Sequence, residues 1–157
     1  IWGFLFMSVI GTLLHFVYEW SGNNSIVRLF APWNESTWEH MKLLFFPMLV
    51  LVLFLFFKLP EQSPIPAALS IGTLVGLALI PILFYTYTGV LGFSVMAIDI
   101  AIFYISVLGV FLTGWFLKDN RKLANRNGLL LTCLAILAIL FFIFSYYPPE
   151  IGLFQEP

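Results

Sequence analysis

Two short stretches of this chain hold most of the side chains that can bind a metal ion or move a proton. The first, "HFVYEW", contains His15 and Glu19, and the second, "NESTWEH", contains Glu35, Glu39 and His40. Residues four positions apart share a helix face, so His15 is paired with Glu19, and Glu35 with Glu39. Imidazole and carboxylate ligands suit divalent ions such as zinc, manganese or iron. The two stretches therefore predict a cation or metal site.

A further carboxylate, Asp99, lies inside the apolar run "SVMAIDIAIF". Counted from the predicted start of its span at residue 93, it is roughly 9 Å below the membrane surface. A carboxylate at that depth is costly unless it has a partner, so we expect it to join the same site. The predicted ligand-binding residues are His15, Tyr18, Glu19, Asn34, Glu35, Glu39, His40 and Asp99. The metal ligands predicted among them are His15, Glu19, Glu39, His40 and Asp99.

Purely structural roles compete with this interpretation. Ser36 and Glu39 have the spacing of a capping box, with Asn34 as a rival N-cap, and acidic residues near a helix N-terminus favour its dipole. His15 could simply hydrogen-bond a neighbouring helix. In that case the polar residues would only hold helices together.

The composition determines which elements carry these residues. The chain has 157 residues, of which 61% are hydrophobic and 10% are charged, whereas soluble domains carry about 25% charged residues. Apolar runs of about 20 residues can cross a bilayer. We predict an all-α, polytopic transmembrane bundle and a single domain, 1–157, with spans at about 1–20, 35–57, 67–87, 93–117 and 128–147. The net charge of −1 suggests no nucleic-acid partner.

The basic residues predict the orientation of the bundle, because they favour the cytoplasmic side. One side of a five-span bundle would hold Lys58, Lys118, Arg121, Lys122 and Arg126, and the other only Arg28 and Lys42. This asymmetry predicts a cytoplasmic N-terminus and an external C-terminus. The predicted site would then face outward.

The chain resembles a family of small prokaryotic integral membrane proteins of unknown function. The resemblance rests on a His-x-x-Tyr-Glu-Trp element at "HFVYEWSGNN" and an Asn-Glu-Ser-x-Trp-Glu-His element at "FAPWNESTWEHMKLLFFP". Later stretches, "GVLGFSVMAIDIAIF" and "YYPPEIGLFQEP", are also similar to the family pattern. It implies an architecture and a prokaryotic plasma-membrane location, but no activity.

Three functional classes and one structural role fit these residues. The favoured class is binding or transport of a cation, a metal or a small cationic solute by an outward-facing pocket; a transporter of this size would need to be a homodimer. A second class is a membrane-embedded, metal-dependent hydrolase acting on a lipid-like substrate, in which a divalent ion would activate water. A haem held by His15 and His40 is a weaker alternative. A structural or accessory subunit is the fourth, and whether the chain is an enzyme stays open.

Overall fold

The computed structural model describes residues 2–157, and its regular secondary structure is helical. Six α-helices follow in order: α1 (Trp2–Trp20), α2 (Val27–Phe30), α3 (Thr37–Lys58), α4 (Ile65–Leu91), α5 (Met96–Leu117) and α6 (Asn127–Tyr146). Short 3-10 helices cover Arg121–Arg126 and Gly152–Phe154.

The predicted all-α bundle is confirmed. Five helical segments are long and apolar enough to cross a membrane: α1, α3, α4, α5 and the continuous segment Arg121–Tyr146 that contains α6. Helix α2 has four residues and lies in the connection between the first two spans. The length and composition of these helices indicate an integral membrane protein. The orientation of the bundle in the membrane stays a prediction.

Helix α3 is the central element of the bundle, since it packs against α1, α4 and α6. Its residues 41–48 are all buried, and Phe45 and Phe46 pack against Phe141 of α6. Helices α4 and α5 form the most extensive helix pair. They approach closely at Gly72, where an added Cβ would lie 2.4 Å from the carbonyl oxygen of Val110. Small residues allow such backbone contact between membrane helices.

Three helix boundaries differ from the predicted ones in a way that affects the site. Helix α3 begins at Thr37 rather than residue 35, because the Ser36 side chain accepts a hydrogen bond from the Glu39 amide and acts as the N-cap. Helix α4 extends to Leu91, where Gly92 takes a left-handed conformation (φ 80°) and ends it. A glycine adopts that conformation without steric cost. Helix α5 consequently starts at Met96, and Asp99 lies in its first turn rather than well below the start of a span.

Candidate metal site at one end of the bundle

Three side chains form the candidate site, and we refer to His15, Glu35 and His40 as the triad. One ligand atom from each lies within 4.8 Å of the other two. His15 comes from the last part of α1, Glu35 from the loop before α3, and His40 from the first turn of α3. The two imidazole rings have centroids 5.4 Å apart. The triad thus joins the first two membrane spans and their connection.

The position of Glu35 follows from the start of α3. With Ser36 as N-cap, Glu35 is not part of the helix, and its carboxylate turns back toward His40. The distance between Glu35 Oε2 and His40 Nε2 is 3.3 Å. This hydrogen bond from His40 holds the pKa of the Glu35 carboxyl below its ordinary value, outweighing the opposing effect of partial burial. Glu35 therefore stays ionised in mildly acidic solution.

The other nitrogen of His40 fixes the tautomer of its ring. His40 Nδ1 lies 3.1 Å from the carbonyl oxygen of Ser36, and since a carbonyl only accepts hydrogen bonds, Nδ1 carries the proton. In a neutral ring, Nε2 then presents a lone pair to the Glu35 carboxylate. The hydrogen bond from Nε2 to Glu35 therefore requires a second proton on the ring, and a metal ion bound between the two atoms would take the place of that proton. Metal-binding histidines commonly have such a backbone-carbonyl partner on the second nitrogen.

His15 has an unsatisfied nitrogen. Its Nδ1 is buried and has no hydrogen-bond partner among residues 2–157. Buried polar atoms without partners are uncommon, because each costs free energy. A group bound at this nitrogen would give it the partner that it lacks.

Glu39 lies in a different place from the triad, although the sequence grouped it with the histidines. Its Oε2 accepts a hydrogen bond from Lys42 Nζ at 2.5 Å, and both side chains are buried. Lys42 Nζ also donates to the Arg28 carbonyl oxygen at 2.9 Å and to Ser145 Oγ at 2.5 Å. We refer to Arg28, Glu39, Lys42 and Ser145 as the Lys42 cluster. Glu39 departs from His40 because consecutive helix residues point about 100° apart.

Asp99 is near the triad but outside it. It lines the same cavity as the three ligands, while the group of mutually close ligand atoms contains His15, Glu35 and His40. Its Oδ1 accepts a hydrogen bond from the Tyr87 hydroxyl, and the same hydroxyl accepts the Val95 amide at 3.1 Å. Asp99 thus has the partner that its position requires.

The remaining predicted residues surround the site without joining the triad. Glu19 is exposed at the end of α1, and Tyr18 is half-buried. The Asn34 side chain accepts a hydrogen bond from the Ser36 amide at 3.1 Å, so it shapes the loop that carries Glu35. These residues stay predictions as ligand-binding groups.

Three residues of the cavity region were not predicted in the role that the structure gives them: Glu35, Tyr87 and Glu156. Glu35 was predicted to bind ligand but was not among the predicted metal ligands, whereas the structure groups it with the two histidines. Glu156, in the C-terminal tail, lines the same cavity, and Tyr87 holds Asp99. The capping-box spacing of Ser36 and Glu39 was the signal that separates Glu35 from the helix, since it makes Ser36 the N-cap. No local signal brings Glu156 to the cavity.

Comparisons with known proteins identify a family but no activity. The model of the "Family of unknown function (DUF6512)" matches residues 1–157. No curated protein and no solved structure matches the chain.

Proposed function

We propose that this chain, which belongs to that family of unknown function, is a membrane protein that binds one divalent metal ion at the triad. The observation that carries the proposal is the convergence of two imidazoles and one carboxylate within 4.8 Å. Ligands from two helices and a loop would draw these elements together when the ion binds. The prokaryotic plasma membrane is the predicted location.

The distances within the triad support this proposal. Two ligands that each lie about 2.0–2.2 Å from a tetrahedral ion are about 3.3–3.6 Å apart. The His40–Glu35 separation of 3.3 Å already has that length. The widest pair, at up to 4.8 Å, would move inward by up to about 1.5 Å to reach the same separation. A change of side-chain rotamer is enough for such a movement.

The chemistry of the ligands favours a particular class of ion. Imidazole with carboxylate suits zinc, manganese or ferrous iron, whereas a soft cuprous ion prefers thiolate. The one cysteine, Cys133, lies on α6, which contributes no ligand to the triad. The ion would also compensate the negative charge that Glu35 and Asp99 bring to this end of the bundle.

Metal content of the purified protein tests the proposal. Wild-type protein in detergent micelles, loaded with zinc or manganese and then desalted, should retain about one ion per chain. Glu35→Gln should weaken metal binding about tenfold or more, because it removes a charged ligand while keeping the shape of the side chain. The matched control is Glu61→Gln, which alters an exposed carboxylate in the turn between α3 and α4, at the opposite end of the bundle, and should bind like the wild type. Wild-type protein that retains no metal, or equal losses in both variants, would contradict the proposal.

A further inference from the structure

The triad lines a cavity of about 680 Å³ between α1, α3, α4, α5 and the C-terminal residues Glu156 and Pro157. Much of the wall is apolar and includes Ile80, Phe84, Ile100, Ile102 and Phe103. Sites for small organic molecules have this character: a concave, mostly apolar wall, a volume of about 300–1,000 Å³, and a few polar groups at one place.

We propose that the site is a hydrolase centre that cleaves the acyl ester or amide bond of an amphipathic, lipid-like molecule. The proposal rests on the metal site of the preceding section and assigns it a reaction. An ion held by the triad would activate a water molecule, Asp99 would accept the proton of that water, and the apolar part of the cavity would hold the acyl chain.

The number and type of the ligands support a catalytic site over a structural one. Structural zinc sites are closed by four protein ligands, whereas catalytic sites have three and leave a position for water; two histidines with one glutamate are a known catalytic set. The group in residues 2–157 has this composition, with His15, Glu35 and His40. The open position would admit water from the cavity.

Asp99 has the properties that a general base in this cavity needs. It lines the cavity without belonging to the ligand group, so its carboxylate is not consumed by the metal. The Tyr87 hydroxyl donates to Oδ1, which orients the carboxylate and leaves Oδ2 free for a proton. A carboxylate beside a metal-bound water is a recurrent arrangement in metal-dependent hydrolysis.

The apolar wall argues for an acyl substrate. Ile80, Ile100 and Phe103 give the cavity an apolar surface that suits an acyl chain, while Thr12, Ser94 and Tyr104 add polar groups suited to the polar part of an amphipathic molecule. The cavity lies between helices that are long and apolar enough to span the membrane, and a lipid-like molecule can reach such a place from the bilayer.

The reaction is balanced with water as the second substrate. An ion held by His15, Glu35 and His40 would supply an activated water, Asp99 would take one proton from that water, and the water oxygen would form a bond to the acyl carbonyl carbon. The bond between that carbon and the ester oxygen or amide nitrogen then breaks. Asp99 returns the proton to the leaving group, and the products are a carboxylic acid and an alcohol or amine.

Hydrolysis of p-nitrophenyl laurate and p-nitrophenyl acetate by metal-loaded protein tests the proposal, because these activated esters report both esterase and amidase centres. The wild type should cleave the laurate faster than the acetate, and only when loaded. Asp99→Asn keeps an acceptor for Tyr87 and should retain the metal while losing about 100-fold or more of the activity. Glu35→Gln should lose metal and activity together, and Glu61→Gln, at the opposite end of the bundle, should lose neither.

The outcomes separate the two proposals. A loaded wild type that binds metal but cleaves no ester faster than the metal-free protein would overturn the hydrolase and leave the metal site standing. A wild type without bound metal would overturn both. Activity of Asp99→Asn within threefold of wild type would overturn the assignment of the base, and equal rates on laurate and acetate would overturn the acyl-chain role of the cavity.

Discussion

Replacement of Lys42 by methionine should destabilise the protein severely, and removal of its partner at the same time should restore most of the loss. Lys42 Nζ is fully buried and has an acceptor for each of its three protons: Glu39 Oε2 at 2.5 Å, Arg28 O at 2.9 Å and Ser145 Oγ at 2.5 Å. Lys42→Met preserves the length and the apolar part of the side chain. It leaves the Glu39 carboxylate buried without its cation.

The expected magnitude follows from these contacts. Loss of one partner of a buried ion pair costs about 3–5 kcal/mol, because the remaining charge is uncompensated, whereas replacement of both by apolar groups is often neutral or stabilising. The Arg28 carbonyl also loses its donor, and an unsatisfied buried acceptor costs about 1–3 kcal/mol. We therefore expect the double variant Lys42→Met/Glu39→Leu to be more stable than Lys42→Met by about 2 kcal/mol or more.

The assay is the reversible unfolding of purified protein in detergent micelles, followed by circular dichroism, for wild type, both single variants and the double variant. The double-mutant cycle isolates the interaction between the two side chains. Strictly additive losses would refute the assignment of Lys42 and Glu39 as a buried pair. Metal content gives an independent check: Glu39→Gln that folds should still bind one ion, since Glu39 lies outside the triad.

Three further predictions concern packing, pH and topology. Gly72→Ala should destabilise the protein by about 1–3 kcal/mol, because the added Cβ would lie 2.4 Å from a backbone oxygen of α5. The control Gly89→Ala has open space around it and should be neutral or slightly stabilising in the same unfolding assay. Equal effects of the two substitutions would contradict the α4–α5 packing. Metal affinity measured by calorimetry should fall between pH 7 and pH 5, because protons compete with the metal ion for the imidazoles. The lowered pKa of Glu35 keeps its carboxylate ionised over this range, so the contribution of Glu35 to metal affinity is lost only at lower pH. An unchanged metal affinity would exclude histidine ligands. Single cysteines at Asn125 and Gln155, introduced without the native cysteine, should be labelled from opposite sides of the membrane, and labelling from one side would exclude five spans.

The fold could be predicted from the sequence because each span is a long apolar run, and that signal does not depend on the neighbouring helices. The positions of individual charged side chains depend on helix starts, which hydropathy does not locate. A difference of two residues, from 35 to Thr37, removes Glu35 from the helix and lets it face His40. A later start of α5, at Met96, places Asp99 in a first turn. Lys42 was counted only as a basic residue for topology, although its spacing from Glu39 allowed an ion pair.

The triad and the Lys42 cluster are connected through two adjacent residues of α3, because His40 belongs to the triad and Glu39 to the Lys42 cluster. Glu39 and His40 point about 100° apart on α3. Glu39 accepts a hydrogen bond from Lys42, which also donates to Ser145 of α6, whereas the His40 ring lies against His15 of α1. Lys42 donates to the Arg28 carbonyl at 2.9 Å, and the Arg28 guanidinium donates to the Ser145 carbonyl at 2.6 Å.

These bonds tie the connection between α1 and α3 to the end of α6, and Glu35 lies in that connection. Precise ligand positions require side chains and backbone that are held by surrounding contacts. The buried pair is costly to form in a membrane-spanning helix, and its benefit is the fixed loop that presents a carboxylate to two histidines. A variant of the Lys42 cluster that still folds, such as Glu39→Gln, should therefore still bind one ion per chain but with lower affinity in calorimetry, although the cluster shares no residue with the triad.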